Sequence, residues 1–193
     1  MTFRFISDLH IGHENVLRFD QRPFENMFQM ENVIIDNWNK HVKKHDRTYI
    51  LGDTIWSPKF KDWKEFLDKL NGQKVLIVGN HDAKEQTLAL LKRENVILDY
   101  KYMDVITVGN KKVILSHSPQ PFYFKQYSPN VVHLYGHVHL TPDYDYMKEI
   151  IKHQEERYSE SISKMHCYNV GCMCPEIDYT PRTIDEIIEN YSK

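Results

Sequence analysis

Five times along this chain, a short apolar run rich in β-formers stops at a glycine or at an aspartate or histidine. Phe3-Arg4-Phe5-Ile6-Ser7 runs into Asp8-Leu9-His10, and Thr48-Tyr49-Ile50-Leu51 runs into Gly52-Asp53. Val75 to Val78 runs into Gly79-Asn80-His81-Asp82, Val113 to Ser116 into His117, and Val131 to Tyr135 into Gly136-His137-Val138-His139. Short apolar runs with such boundaries are expected to be buried strands. In open α/β sheets the ligand site lies beyond the carboxyl ends of the strands. Five strands that end this way therefore deliver their polar residues to one place.

The residues so delivered are Asp8, Asp53, Asn80 and the histidines at 10, 81, 117, 137 and 139. Carboxylate and amide oxygens mixed with imidazole nitrogens suit divalent first-row metals such as manganese, iron or zinc. A single site takes about four protein ligands, so the set is too large for one ion. It is about right for two ions that share a bridge, and the residues point to a dinuclear centre. His41, His45, His133, His153 and His166 are read instead as surface or core groups.

In this order the motifs resemble those of the calcineurin-like metallophosphoesterases, whose signature is Asp-x-His, Gly-Asp, Gly-Asn-His-Asp/Glu, a lone His and Gly-His-x-His. The segment Ser7 to His13 and Arg22-Pro23-Phe24 resemble the small bacterial and phage members, and the likeness extends to Asn169-Val170-Gly171. It implies an α/β fold, a two-sheet mixed β-sandwich flanked by helices in four α/β/β/α layers. It also implies that Asp8, His10 and His139 bind one metal and that Asn80, His117 and His137 bind the other. Asp53 is implied to bridge the two, with a bridging hydroxide as nucleophile, and His81 to be the general acid.

The implied chemistry is coherent. Two ions roughly 3.5–4 Å apart can clamp an in-line displacement at phosphorus. Two divalent ions, two aspartates and one hydroxide leave a core of about +1, which favours an anionic ester and its transition state. A histidine titrates in the range needed to protonate the leaving alkoxide. The expected cofactor is two manganese ions, with iron, zinc or nickel as alternatives. The expected reaction is hydrolysis of a phosphodiester in a nucleotide or other small molecule. A phosphomonoesterase is the alternative, and a non-catalytic metal-binding scaffold of the same fold is a third reading. A protein phosphatase is disfavoured, because Gly52-Asp53-Thr54-Ile55-Trp56-Ser57-Pro58 lacks the Gly-Asp-x-Val-Asp-Arg-Gly of that subgroup, and Asp82 stands where it has Glu.

Further residues are candidates around this core. His13, three residues past His10, either faces the phosphate or supports the residues that do. Arg18 and Arg22 are candidates for a bidentate phosphate fork, a structural ion pair being the alternative. Asp82 either orients His81 or caps a helix that starts near Ala83, and capping is the preferred reading.

A net charge of −2 over 193 residues gives no global basic field, so strong sequence-specific nucleic-acid binding is not expected. No apolar run approaches the roughly 20 residues of a membrane span. Because the first strand carries Asp8, a signal peptide is not expected either. Cys167, Cys172 and Cys174 are odd in number and clustered, which reads as reduced thiols in a cytoplasmic protein. Residues 1–193 are read as a single metallophosphoesterase domain, its oligomeric state left open. Helices are expected over Met30–Lys44 and Phe60–Leu70, and from the Thr183/Glu186 capping box to about Tyr191. Gly109-Asn110 signals a hairpin, hence a mixed sheet. A helical insertion about 141–165 follows His139 directly, with Tyr146, Ile150, Ile151, Gln154 and Tyr158 near one face. A lid, a dimer surface, a substrate-selecting wall and a solvated helix simply packed on the sandwich are its candidate readings.

Overall fold

The computed structural model describes residues 1–159 and 164–193. One sheet consists of β1 (Phe3–Ile6), β2 (Arg47–Ile50), β3 (Gln73–Ile77) and β4 (Asp99–Lys101), in that order and parallel throughout. The second consists of β5 (Met103–Val108), β6 (Lys111–Ser116), β7 (Val131–Tyr135) and β8 (His166–Asn169). Its β5–β6 pair is antiparallel and the other two pairs are parallel, so this sheet is the mixed one. Gly109-Asn110 closes the β5–β6 hairpin, with Gly109 at φ 59°. Among the described residues the helices are α1 (Val16–Phe19), α2 (Met27–His41), α3 (Phe60–Leu67), α4 (Glu85–Arg93), α5 (Pro142–Arg157) and α6 (Ile184–Asn190).

Burial shows how the layers stack. Phe5, Ile50 and Leu76 of the first sheet share one core with Val113, Leu115, Val132 and Leu134 of the second. Met30, Ile34 and Trp38 of α2, Trp63 of α3 and Leu91 of α4 belong to that core too. Successive residues of a strand point to opposite faces. Val132 and Leu134 therefore face the first sheet, while Tyr135 faces outward. There it packs with Val138 and with Met147 and Ile151 of α5. Helices thus cover both outer faces of the sandwich, the α/β/β/α arrangement.

Several local expectations hold, with shifted ends. α2 begins at Met27 rather than Met30, because the Asn26 side chain accepts from Gln29 N at 2.9 Å and caps the helix. α3 stops at Leu67, short of Leu70. At α6 both bonds of the capping box form, Thr183 N to Glu186 Oε2 at 2.7 Å and Glu186 N to Thr183 Oγ1 at 3.3 Å. Within the expected insertion, α5 starts with Pro142 in its first turn, where a missing N–H does no harm. Residues 160–163 of that segment lie outside the described residues. The packed face of α5 matches the expected one only in part. Met147 and Ile151 pack on the sheet and Gln154 is buried against Pro121 and Gln126, whereas Tyr146 and Tyr158 remain exposed. Among the described residues, no helix is long and apolar enough to cross a membrane.

Candidate metal centre

The loops after β1, β2, β3, β6 and β7 meet at one edge of the sandwich, and backbone bonds join them. Asp8 N donates to Gly52 O at 3.1 Å, His10 N to Asp53 O at 2.9 Å, and Gly136 N to His117 O at 2.8 Å. Five of the residues they present have left-handed backbone: Asp8, His10, Asp53, His137 and His139, at φ 57°, 51°, 52°, 73° and 48°. Non-glycine residues seldom adopt this region, although aspartate and histidine tolerate it better than most. Each such residue stores on the order of 1–3 kcal/mol, here concentrated where the side chains converge. Gly136 is required for a different reason. A Cβ there would collide with Ser7 Oγ and Asp8 Oδ2.

Two clusters result. In the first, Asp8, His10 and His139 come together, with His10 Nε2 3.2 Å from His139 Nε2 and His139 Nε2 3.5 Å from Asp8 Oδ1. The second contains Asp53, His117 and His137. Here His117 Nε2 lies 3.4 Å from Asp53 Oδ2 and 2.9 Å from Asn80 Oδ1, which brings Asn80 in as well. Asp53 Oδ2 is also 3.6 Å from His10 Nε2 of the first cluster, so one carboxylate oxygen stands between the two. The spacing suits metal binding. Bonds of about 2.0–2.2 Å set neighbouring donors about 2.9–3.6 Å apart at tetrahedral or octahedral angles. The donor types and distances therefore fit a pair of ions, without specifying which metal.

The ring nitrogens turned away from the clusters are held. His117 Nδ1 lies 2.7 Å from Leu51 O, and His139 Nδ1 lies 2.7 Å from Asp20 Oδ1. Such partners fix the ring and leave Nε2 for the metal. Asp20 is in turn gripped by Arg22, whose Nε and Nη2 reach Oδ2 at 2.9 and 2.8 Å. The sequence reading missed Asp20, whose partner His139 is distant along the chain. Replacing Asp20 with alanine is expected to weaken binding at the His139 cluster about 10–100-fold, while the His117 cluster keeps its affinity. Chelator competition read by metal stoichiometry would measure both.

The placement of Arg22 corrects the phosphate-fork expectation. It is 4% exposed and also donates to Asp8 O at 2.9 Å and Leu9 O at 3.1 Å. Its guanidinium has no face left for a substrate, so it is the structural ion pair. Arg18 is exposed and donates to Asn15 Oδ1 at 2.9 Å. Asp82 neither caps α4 nor orients His81, since Lys84 is the residue before that helix. Asp82 instead accepts from Gly79 N at 2.8 Å, Asp53 N at 3.1 Å and Thr54 N at 2.7 Å, tying the β2 and β3 loops together. His81 lies exposed beside the clusters and its backbone N–H donates to Asp53 Oδ1 at 2.9 Å. His13 stands at the mouth, its ring centroid 5.6 Å from that of His10 and 4.1 Å from that of Trp56. A groove of about 300 Å³ opens alongside, lined by Trp56, Pro58, Asn80, His81 and Lys84.

Charge in the centre is arranged around its two aspartates. Burial opposes ionisation of Asp8 and Asp53, but hydrogen bonds from His139 and His117 hold both below the usual carboxylate range. Burial likewise opposes protonation of the histidines. His10 is pushed down to about 4. Burial is the largest single influence on His117 and His139, but it is outweighed in sum. At His117 the hydrogen bond to Asp53, the Asp8 and Asp53 charges and the Leu51 carbonyl raise the ring to about 9, and at His139 the hydrogen bonds and charges of Asp20 and Asp8 raise it to about 10. Both rings thus carry protons at neutral pH without metal, and both lose them as pH climbs through those values. Metal takes only the neutral ring. Metal uptake at pH 7 is therefore expected to release about two protons per chain, and affinity should rise towards pH 9. Calorimetry in buffers of different ionisation heat would count the protons.

Comparison with known proteins adds four findings. A family model described as calcineurin-like phosphoesterase matches residues 1–176. An uncharacterized protein of Methanocaldococcus jannaschii is 32% identical over 189 residues, covering 97% of this chain and 90% of its own. The crystal structure of a protein of unknown function from Aquifex aeolicus matches with a TM-score of 0.61 at 25% identity, covering 97% of this chain and 98% of its own. A shorter match, to the gene 66 protein of Mycobacterium phage L5, is 34% identical over 82 residues, 41% of this chain and 39% of that protein.

Proposed function

The chain belongs to the calcineurin-like phosphoesterases, and from that premise we propose that it is a hydrolase that cleaves a phosphodiester in a nucleotide or other small molecule. The observation that carries the reading is the position of Asp53 Oδ2, 3.6 Å from His10 Nε2 in one donor cluster and 3.4 Å from His117 Nε2 in the other. Asp8, His10 and His139 would hold one divalent ion, Asn80, His117 and His137 a second, and Asp53 both. When bound, such a pair supplies Lewis acidity towards the phosphoryl oxygens and an activated water. Manganese is the metal we propose from among the divalent first-row ions that mixed oxygen and nitrogen donors suit, with iron, zinc and nickel as alternatives.

The protein's own part is positioning and proton transfer. The two aspartates leave the loaded centre with net positive charge, which draws the ester anion in. His81, exposed beside the groove, gives a proton from its imidazole to the leaving oxygen as the P–O bond breaks, and solvent replaces it. A diester is favoured over a monoester because the two candidate arginines are otherwise engaged. Arg22 is used by Asp20 and two carbonyls, and Arg18 is turned to Asn15. A dianionic monoester would want such a cation more than a monoanionic diester does. We assign residues 1–193 to one domain of this kind, with α5 as an addition on the outer face of the second sheet.

The test is hydrolysis of bis-p-nitrophenyl phosphate by manganese-loaded protein, with p-nitrophenyl phosphate for comparison. Turnover that chelator abolishes and manganese restores, faster on the diester, is the expected result. A faster monoester would reverse the substrate assignment. No turnover with manganese, iron, zinc or nickel would leave a metal-binding scaffold.

A further inference from the structure

Trp56 lies outside the donor clusters and outside the core, yet its backbone is fixed on both sides. Its N–H donates to Ile11 O at 2.8 Å, and Ile11 N donates to Thr54 O at 3.1 Å, which zips this loop to the one that carries His10 and His13. The next residue, Ser57, accepts from Trp63 Nε1 at 2.7 Å through its carbonyl and donates to Asp62 Oδ2 at 2.5 Å through its hydroxyl. Ile55 before it is buried, whereas the Trp56 indole is 46% exposed. A loop this well anchored holds a large apolar ring partly in water beside a polar site.

The indole stands between two imidazoles. The His13 ring lies flat against it, centroids 4.1 Å apart and planes 10° apart. On the groove side the His81 ring leans on it at 4.8 Å and 49°. The His13 face is closed to any ligand, which argues against a free stacking platform for a nucleobase. His81 needs a neighbour of this kind. Among the described residues its ring makes no hydrogen bond, and the ring contacts it has are Trp56 and, at 6.0 Å, His10. An exposed imidazole without such contact would spread over several staggered rotamers.

We infer that Trp56 is a positioning residue that holds the His81 imidazole over the leaving-group side of the groove, itself braced from behind by His13. The inference rests on the reading of His81 as general acid. It gives Trp56 no contact with the reacting atoms. Its loss should therefore lower kcat where a proton must be delivered, and leave metal binding and KM close to their starting values.

The experiment compares manganese-loaded wild type, Trp56→Phe, Trp56→Leu, His81→Ala and the Trp56→Leu/His81→Ala double variant. Each is assayed on diphenyl phosphate and on bis-p-nitrophenyl phosphate, with metal content and melting temperature recorded. Trp56→Leu keeps apolar bulk without a ring, and is expected to lose about 10–100-fold in kcat on the diphenyl ester. On the nitrophenyl ester, whose leaving group needs little help, the loss should be about threefold or less. Trp56→Phe should recover most of the diphenyl activity, and the double variant should be no slower than His81→Ala alone. Equal losses by Trp56→Leu on the two esters, additive losses in the double variant, no recovery with Phe, or a fall in metal content would each overturn the positioning role. If His81→Ala itself shows no leaving-group dependence, the general-acid reading fails and takes this inference with it. If His81→Ala shows that dependence and Trp56→Leu does not, the Trp56 inference fails alone.

Discussion

Replacing Asp53 with asparagine is expected to strip the chain of most of its metal and to lower phosphoester hydrolysis by several orders of magnitude. Asp53 is 3% exposed, and its two oxygens have separate duties. Oδ1 accepts from His81 N at 2.9 Å, while Oδ2 sits between the His10 and His117 nitrogens. The backbone N–H will claim the amide oxygen of an asparagine. That leaves the –NH2 in the shared position, where it offers protons instead of lone pairs. The substitution also removes one of the two negative charges that balance the ions. Metal analysis beside an activity assay is the measurement. Two ions per chain with undiminished turnover in this variant would remove the shared-carboxylate arrangement.

Replacing His81 with alanine should separate binding from chemistry. The His81 ring belongs to neither donor cluster, and the bond its residue makes to Asp53 comes from the backbone, which alanine keeps. Metal content should therefore stay near normal while turnover falls by about 10²–10⁴, the usual share of a general acid. The loss should be greater for esters with alkyl leaving groups than for p-nitrophenyl esters, since nitrophenolate departs without a proton. Equal losses on the two would mean that His81 holds the phosphate or a metal.

What could be read from the sequence was whatever is settled within a few residues. The Gly109-Asn110 hairpin and the Thr183/Glu186 capping box are of this kind, because each hydrogen-bonding partner lies close along the chain. The residues that converge on the site were legible for a related reason. Strand ends in a parallel sheet share an edge, so their order along the chain fixes their company. The supporting residues were not legible, since their partners are distant and chosen by how loops meet. Arg22 looks like a phosphate ligand until the carbonyls of Asp8 and Leu9 are seen to enclose it. Asp82 looks like a cap until backbone groups of another loop take its oxygens. The link from Asp20 to His139 spans 119 positions, and no spacing rule reaches so far. On α5, Ile151 and Gln154 of the expected face are packed while Tyr146 and Tyr158 are not, because a tyrosine is amphipathic enough to lie in water.

The left-handed backbone at Asp8, His10, Asp53, His137 and His139 also bears on how such a protein can change over generations. On the proposed function those positions select twice, once for a side chain that would donate to a metal and once for one that tolerates positive φ. Aspartate, asparagine, histidine and glycine pass the second requirement best, so drift is confined even where the first has lapsed. Threonine, valine and isoleucine are excluded by shape alone. A lineage that gave up its ions would still be steered towards the old letters at these five places. An intact row of aspartates and histidines at these positions is thus partly a record of how the chain turns.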